Sequence, residues 1–218
     1  MPKVSYVMTI SRPNFLKEAI DSALNQWMDD IEIIIGDSTG VFNGHIDKRI
    51  REINTEGLNV TQALNVLIED AKSDIILNLA DDDIDFPNRA DFLYDQIQDC
   101  DIVCASYKRM DIDGNVYMDE IIQPWDFQQF LNGKRNMPMC SGAYRKSTVP
   151  RWDERFPYTA DIILFLEAHN RNLKIKTSGT IVSKMRYWNQ QMCDPKNAHI
   201  SQAEIAQINK IYGLQVRR

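Results

Sequence analysis

The stretch from Ile75 to Pro87 reads Ile-Ile-Leu-Asn-Leu-Ala-Asp-Asp-Asp-Ile-Asp-Phe-Pro. An apolar run that stops at three adjacent acids, Asp81, Asp82 and Asp83, is typical of a buried strand that brings carboxylates to the carboxyl edge of a sheet. Open α/β folds bind their ligands at that edge. Three adjacent carboxylates repel one another, and a divalent cation with diphosphate oxygens turns that repulsion into attraction. The stretch therefore indicates a metal and nucleotide site.

A second interpretation assigns the same acids a structural task. Acidic residues at or just before the first turn of a helix meet unpaired amides and the positive end of the helix dipole, and a helix is predicted to begin near Pro87. The local sequence fits helix capping as well as it fits ligand binding. The choice between these two interpretations therefore depends on the rest of the sequence.

The composition predicts one soluble globular domain that spans residues 1–218. The chain is 44% hydrophobic and 26% charged, and it has a formal net charge of −6. This acidic balance argues against a partner that is a nucleic acid bound without regard to sequence, since such binding needs clustered Lys and Arg. No window approaches the roughly 18 consecutive apolar residues of a membrane span, so an integral membrane protein is not expected.

The termini and the cysteines predict a cytoplasmic protein. Residues 1–8 pass directly into a strand pattern, without the charged region, apolar core and cleavage site of a signal peptide. Four cysteines, Cys100, Cys104, Cys140 and Cys193, are enough for two disulfides, but in this context we expect reduced thiols. Their spacing does not favour a zinc site.

Strand and helix patterns alternate through the first half of the chain. Apolar runs at 4–10, 31–35 and 75–79 predict strands, and helical periodicity at 15–24 and 60–71 predicts the helices between them. This order predicts an α/β fold with a mixed, mainly parallel sheet flanked by helices. Asp37 follows the second strand and should lie at the same edge as the acidic run.

The second half of the chain is predicted in less regular pieces. Asp111 to Asn115 indicates a hairpin turn, because the sequence lacks the flanking helices and the twelfth-position Glu of a calcium loop. The other predicted elements are a strand at 101–107, a short helix at 125–131, a strand at 140–145, a helix at 160–170 with Asp161 in its first turn, extended segments at 174–182, a loop at 185–193 and a helix at 201–212.

Taken together, residues 4–26, 32–40, 59–83 and 152–173 resemble a family 2 glycosyltransferase of the GT-A fold. The resemblance covers most of the chain and rests on the order of its motifs. It implies a metal-dependent, inverting transfer of a sugar from a nucleotide diphosphate, with a UDP-sugar favoured, to the hydroxyl of a glycan, glycolipid or protein acceptor. It also implies a donor-binding half at 1–108 and an acceptor-binding half at 109–218.

The resemblance assigns roles to individual positions. Asp161 matches the catalytic base, Asp82 and Asp83 are the expected ligands of Mn²⁺ or Mg²⁺, and Asp81 is expected at the ribose or at a metal-bound water. The remaining residues implied at the nucleotide-sugar site are Thr9, Ser11, Arg12, Asp37 and Asn65.

Three departures from the family pattern bear on activity. Ala80 replaces the first acid of the usual Leu-Asp-x-Asp-Asp motif, and Ala160 replaces the Glu that precedes the base. The later loop, often Tyr-Arg-x-His, has no His in residues 185–191, so Trp188, Asn189 or Gln190 would line the diphosphate or acceptor, with His199 as a distant substitute.

Two rival functions remain at this point. A nucleotidyltransferase of similar architecture normally opens with a Gly-rich phosphate loop, whereas residues 9–13 contain no glycine. A degenerate sugar-nucleotide-binding or scaffold protein is suggested by Ala80 and Ala160. Surface cations such as Arg145 and Lys146 and the aromatic rings of Trp125 and Trp152 are further candidates for ligand contacts, although solvent exposure and core packing are the commoner explanations of such residues.

Overall fold

The computed structural model describes residues 1–42, 47–135, 137–189 and 194–216. Within these ranges the chain forms one mixed sheet flanked by helices. The strands are β1 (Val4–Ile10), β2 (Ile31–Asp37), β3 (Ile50–Asn54), β4 (Ile75–Asn78), β5 (Ile84–Asp85), β6 (Ile102–Met110), β7 (Val116–Glu120), β8 (Gly142–Arg145) and β9 (Ile175–Arg186). The helices are α1 (Leu16–Leu24), α2 (Val60–Asp70), α3 (Arg89–Gln96), α4 (Phe127–Leu131), α5 (Ala160–Asn170) and α6 (Ala198–Tyr212).

The sheet runs in the order β3-β2-β1-β4-β8-β6-β9-β5, and β7 pairs with β6. The first four strands in this order are parallel to one another, as the alternation of strand and helix predicts. In the second half, β8 lies antiparallel between β4 and β6, while β9 runs parallel to β6. The predicted mixed α/β fold is confirmed.

The register of the parallel strands brings their carboxyl ends together. Ile10 pairs with Asp37 across β1 and β2, and Val7 pairs with Asn78 across β1 and β4. The residues that follow β1, β2 and β4 therefore leave the sheet side by side. This is the convergence that the sequence predicts for Asp37 and the acidic run.

Strands β1, β2 and β4 are buried on both faces, which explains why they are apolar at most positions. Side chains alternate between the faces along a strand. In β1, Tyr6 and Met8 pack in the hydrophobic cluster that includes α1 and α3 residues, whereas Val7 packs in the cluster that includes α2 and α5 residues.

The capping interpretation of the acidic run is wrong. Helix α3 begins at Arg89, with Asn88 at its N-cap and no side-chain hydrogen bond at the cap. The three acids precede this helix by several residues, and their carboxylates are bonded to other parts of the chain. The predicted helix start near Pro87 is thus displaced by two residues.

Other sequence-based boundaries need smaller corrections. Strand β3 was not predicted, because its sequence, Ile-Arg-Glu-Ile-Asn, is half polar and it lies at an edge of the sheet. The predicted loop at 185–193 begins too early, since Met185 and Arg186 end β9, and residues 190–193 lie outside the described ranges. The predicted hairpin turn at 111–115 is confirmed between β6 and β7.

The helices follow their sequence patterns closely. Asn59 and Gln62 form a capping box at the start of α2, in which each side chain bonds the backbone of the other residue. Helix α5 has the predicted bounds, and α6 begins three residues before the predicted start at Ser201. Among the described residues, no helix combines the length and apolar character that crossing a bilayer requires. The cytoplasmic location stays a prediction.

A buried ion pair fixes the segment that follows the acidic run. Arg89 is fully buried, and its Nη1 donates to both carboxylate oxygens of Asp85 at 2.5 and 2.6 Å. Its Nη2 donates to the carbonyl oxygen of Asn78, the last residue of β4, at 2.7 Å. This pair connects β4, β5 and the first turn of α3, so it holds the chain on both sides of residues 81–83.

We predict that Arg89→Ala lowers the free energy of unfolding by about 3–5 kcal/mol, because it leaves the Asp85 carboxylate buried without its partner. Urea denaturation measures the change. The matched control is Lys17→Ala, which removes another i,i+4 ion pair, Lys17–Asp21, on the exposed surface. We expect about 0.5 kcal/mol or less for the control. Equal effects of the two substitutions would contradict this account of the segment.

Candidate active site

A cavity of about 660 Å³ opens beside the carboxyl ends of β1 and β4. Its walls come from both halves of the chain, and they combine acidic, cationic and aromatic side chains. Polar or charged lining residues from the first half are Thr9, Arg12, Thr61, Asn78, Asp82 and Asp83. Lining residues from the second half include Cys140, Trp152, Tyr158, Asp161, Arg186, Tyr187, Ser201 and Gln202.

Asp81 holds the loop that follows β1. Its Oδ2 accepts hydrogen bonds from the backbone N–H groups of Ser11 at 2.8 Å and Arg12 at 2.7 Å, and from Ser11 Oγ at 3.2 Å. Its Oδ1 accepts from Arg12 Nη2 at 2.9 Å. Because both oxygens of Asp81 are used in this way, the contacts in the structure favour a positioning task for Asp81 and Ser11.

Asp82 lines the cavity, and its carboxylate meets Trp188 and Arg12 among the described residues, both from distant parts of the chain. Its Oδ2 accepts a hydrogen bond from Trp188 Nε1 at 2.8 Å and lies 3.7 Å from Arg12 Nη2. Burial raises the pKa of Asp82, and the charge of Asp81 adds to the rise, while Arg12 and Trp188 oppose it. The positive charge of Arg12 and the carboxylate of Asp82 thus share one end of the cavity.

Asp83 is held by Arg186, a residue that the sequence analysis missed. The backbone N–H of Arg186 donates to Asp83 Oδ1 at 2.9 Å, and Arg186 Nε donates to the carbonyl oxygen of Asp82 at 3.1 Å. Burial raises the pKa of Asp83 well above its usual range, and the charge of Asp82 raises it further. Arg186 is 1% exposed, and its Nη2 also pairs with Glu18 at 2.8 Å.

Asp37 lies at the end of β2, as predicted, and its carboxylate organises the loop that follows. Oδ1 accepts from the backbone N–H and the hydroxyl of Thr39, both at 2.7 Å, and from the backbone N–H of Gly40 at 3.1 Å. Oδ2 accepts from the backbone N–H of Phe42 at 2.9 Å. Burial acts to raise the pKa of Asp37, but these four donors lower it overall.

Asn65 on α2 fixes the segment that leads to Asp161. Its Nδ2 donates to the carbonyl oxygen of Trp152 at 2.9 Å, and its Oδ1 accepts from the backbone N–H of Trp152 at 3.0 Å. The side chain is 2% exposed. In the part of the chain that the structure describes, the cavity lining includes neither Asn65 nor Asp37, so their contacts with a ligand stay a prediction.

Asp161 lies in the first turn of α5 and lines the cavity, as the sequence predicts. The turn before it is held from α6, where the buried Glu204 accepts from Thr159 Oγ1 at 2.7 Å and from the backbone N–H of Tyr158 at 3.1 Å. Asp161 Oδ1 accepts from the backbone N–H of Ile162 at 3.0 Å. This arrangement fixes the position of a carboxylate that lines the same cavity as Asp82 and Asp83.

Several weaker candidates from the sequence lie away from the cavity. Arg145 bonds the carbonyl oxygens of Cys100 and Ile97, and Lys146 bonds the carbonyl oxygen of Ala71. These contacts place both side chains near the amino end of β4, opposite the acidic run, so neither is positioned to contact a ligand in the cavity. Trp125 packs against Phe130 and Phe165 in the core, and His199 is exposed.

The acidic side chains of the cavity suit a metal ion that binds together with the phosphates of a substrate. Among the described residues there is no group of three or more His, Cys, Asp or Glu side chains that could hold a metal ion. Mg²⁺, however, usually binds through one or two carboxylates together with substrate phosphates and waters, rather than in an all-protein cage. Asp82 and Asp83, which both line the cavity, fit that mode of binding.

Comparison with known proteins identifies the family. Residues 6–146, which run from β1 through β8, match the profile of the family described as Glycosyl transferase family 2. The chain belongs to this family. The resemblance inferred from its motifs is therefore confirmed.

Curated glycosyltransferases match part of this chain at about 30% identity over the aligned residues. The glycosyltransferase GlyG of Streptococcus pneumoniae is 32% identical over 135 residues, which are 54% of this chain and 45% of that protein. An uncharacterized glycosyltransferase of Rickettsia felis is 29% identical over 126 residues, 52% of this chain and 21% of that protein. The matched regions thus span less than half of the length of either relative.

Solved structures confirm the fold. Staphylococcus aureus TarS 1–349 in complex with UDP-GlcNAc superimposes with a TM-score of 0.66 at 11% identity, over 95% of this chain and 66% of that chain. The same protein in complex with UDP gives a TM-score of 0.61. The mixed sheet of this family 2 chain is therefore the GT-A arrangement.

We predict that the Asp37 carboxylate makes the stability of the fold pH-dependent below about pH 4, where an unperturbed Asp becomes protonated. Its folded-state pKa is lowered, so the stabilisation is present above the unfolded-state pKa and is lost as the pH falls through the folded-state pKa. In urea denaturation between about pH 2.5 and 6, the difference in unfolding free energy between wild type and Asp37→Asn should shrink on acidification. Asp119→Asn, at a half-exposed pair with Lys108, is the control. A difference that does not vary with pH would contradict the prediction.

Proposed function

We propose that the chain is the transfer domain of an inverting glycosyltransferase that moves a sugar from a nucleotide diphosphate, with a UDP-sugar favoured, to an acceptor hydroxyl. One observation carries this proposal. A single cavity brings Arg12, Asp82 and Asp83, which suit a diphosphate and its cation, into the same space as Asp161, which suits a general base. Membership of the family favours sugar transfer over nucleotidyl transfer.

The donor would bind at the ends of β1 and β4, within the half formed by residues 1–108. Arg12 supplies a guanidinium to the diphosphate, a group that it recognises through planar, paired donors. Thr9 lines the same wall, while Asp81 and Ser11 hold the loop that presents Arg12. The UDP and UDP-GlcNAc complexes of TarS, which has the same fold, support a uridine nucleotide as the first ligand to test.

Asp82 and Asp83 would hold a Mn²⁺ or Mg²⁺ ion together with the diphosphate oxygens. When bound, such a cation supplies Lewis-acid stabilisation of the negative charge that develops on the leaving diphosphate. Among the described residues, Arg12 and Arg186 supply only part of the positive charge that the buried carboxylates of Asp82 and Asp83 need. The cation would supply the rest.

Asp161 would act as the general base. Its carboxylate takes the proton of the acceptor hydroxyl while the acceptor oxygen forms a bond to the anomeric carbon. The bond between that carbon and the diphosphate oxygen breaks with its electron pair on the diphosphate, and the anomeric configuration inverts. General-base catalysis of this kind contributes typically about 10²–10⁴ in rate.

The acceptor would occupy the part of the cavity formed by residues 109–218. Tyr158 and Trp152 offer aromatic surface, and Ser201 and Gln202 offer hydrogen-bonding groups on the face of α6 that lines the cavity. Aromatic faces and neutral polar groups suit a hydroxyl-rich acceptor. In this proposal, residues 1–108 bind the donor and residues 109–218 bind the acceptor.

A binding protein without transfer activity is the second candidate, and the alanines at positions 80 and 160 favour it. Ala80 and Ala160 both line the cavity, where the family pattern has acids. Such a protein would bind the sugar nucleotide through the groups at Arg12 and Asp82 but would not transfer or hydrolyse it.

We predict different effects for Asp82→Asn and Asp161→Asn, each of which replaces a carboxylate with an amide of similar size. Asp82→Asn should abolish the Mn²⁺ dependence of UDP binding, measured by calorimetry, because it removes a carboxylate ligand. Asp161→Asn should keep UDP binding but lower the rate of UDP release from UDP-sugars by about 10²–10⁴, because it removes the base.

The experiment uses a set of UDP-sugars, with and without Mn²⁺, and Asp113→Asn in the exposed β6–β7 turn as the control. Binding without turnover in the wild type would establish the binding-protein alternative. An unchanged rate in Asp161→Asn would remove Asp161 as the base, and UDP binding that needs no cation in the wild type would remove the metal from the proposal.

A further inference from the structure

The end of β9 covers the acidic run with hydrogen-bond donors. Arg186 donates its backbone N–H to Asp83 and its Nε to the carbonyl oxygen of Asp82. Two residues later, Trp188 donates its indole Nε1–H to Asp82 Oδ2 at 2.8 Å. Three donors from a three-residue segment therefore meet two consecutive residues of the acidic run.

These contacts differ in how easily they can be exchanged for a ligand. The Arg186 side chain is 1% exposed, and it is also tied to Glu18, to the carbonyl oxygen of Ile112 and to the ring of Phe15, which lies 3.9 Å from the guanidinium carbon. Trp188 is only half-buried, and its ring meets the edge of Phe15 at 5.2 Å between centroids. The guanidinium carbon of Arg12 lies 6.0 Å from the centroid of the Trp188 ring. Among the contacts of the described residues, releasing Trp188 breaks fewer than releasing Arg186.

The indole contact with Asp82 opposes the binding of a cation at the same oxygen. An indole N–H is a donor only and cannot serve as a metal ligand. A divalent cation at Asp82 Oδ2 would be repelled by the partly positive indole hydrogen on the same oxygen, which also lies 3.7 Å from Arg12 Nη2. Trp188 and the cation therefore compete for one oxygen atom.

We propose that Trp188 is a latch on Asp82, which holds the carboxylate in the ligand-free protein and is displaced when a divalent cation binds with the nucleotide diphosphate. This inference rests on the proposed function, because it assumes that the cation binds at Asp82. The latch replaces part of the missing positive charge before the ligand arrives. It makes Asp82 available only when cation and diphosphate together outcompete one charge-assisted hydrogen bond.

The apparent dissociation constant for the cation equals the intrinsic constant divided by the fraction of molecules in which the latch is open. Removing a hydrogen bond to a charged group corresponds to about tenfold in an equilibrium constant at the lower end of the usual range. Trp188→Phe keeps an aromatic ring for the contact with Phe15 but has no N–H. We therefore expect this variant to bind UDP about tenfold more tightly than the wild type in the presence of Mn²⁺, and equally well in its absence.

Calorimetric titration with UDP, with and without Mn²⁺, tests the inference on the whole chain. Trp27→Phe is the matched control, because Trp27 is 72% exposed and lies outside the cavity. It should bind UDP as the wild type does under both conditions. Equal or weaker Mn²⁺-dependent binding by Trp188→Phe would overturn the latch while leaving the proposed function in place.

A second measurement uses the wild-type protein and requires no stable variant. The NMR signal of the Trp188 indole N–H should move towards the position of a solvent-exposed indole when Mg²⁺ and UDP are added together. A signal that does not move while UDP binds would overturn the latch. If UDP binds to no variant under any condition, the proposed function and the latch are both contradicted, which is a different outcome from equal affinities.

Discussion

The structure depends on the burial of three adjacent carboxylates at the end of β4. Asp81, Asp82 and Asp83 are each less than 5% exposed, and burying a charge without partners is strongly unfavourable. Each acid is compensated by a different part of the chain: the loop after β1 bonds Asp81, Trp188 bonds Asp82, and Arg186 bonds Asp83. The need for these partners draws the loop after β1 and the end of β9 to one place. The cavity is bounded by the segments that meet there.

The same compensation explains the chemistry that we assign to the site. Asp81 is fully used in positioning, whereas Asp82 shares one oxygen between an exchangeable indole and a more distant guanidinium. Glu204 and Asn65 act at the other wall, where they hold the residues around Trp152 and Thr159 that lead to Asp161. Rigid supports around a few exchangeable contacts are what a site needs if it is to bind a charged ligand without large rearrangement.

The sequence was enough to predict the fold of the first half and several residues that line the cavity, among them Arg12, Asp82 and Asp161. Strands buried on both faces give nearly continuous apolar runs such as Ile31 to Ile35, which only Glu32 interrupts. Amphipathic helices such as α2 give a clear period, so both kinds of element are visible in the local sequence. Asp37 was located because an acid that follows a parallel strand lies at the carboxyl edge of the sheet, whereas Asp82 and Asp161 received their roles from the resemblance to the family. The edge strand β3 was missed because half of its side chains face solvent and its pattern is weak.

The sequence alone does not predict which side chains meet when they lie far apart in the chain. Nothing local marks Arg186 as a fully buried residue, since its partners Glu18, Asp82 and Ile112 are up to 168 positions away. The bonds that make Asp81 and Asn65 supports, rather than lining residues, likewise become visible only when the segments are packed. The central claim, that a cation and a uridine diphosphate meet at Asp82, is tested most directly by paramagnetic broadening of backbone amide signals with Mn²⁺ and UDP. We predict broadening at Ala80, Asp82 and Asp83 and none near Arg51, which lies in a separate groove. Broadening near Arg51 alone, or no broadening while UDP binds, would contradict the account.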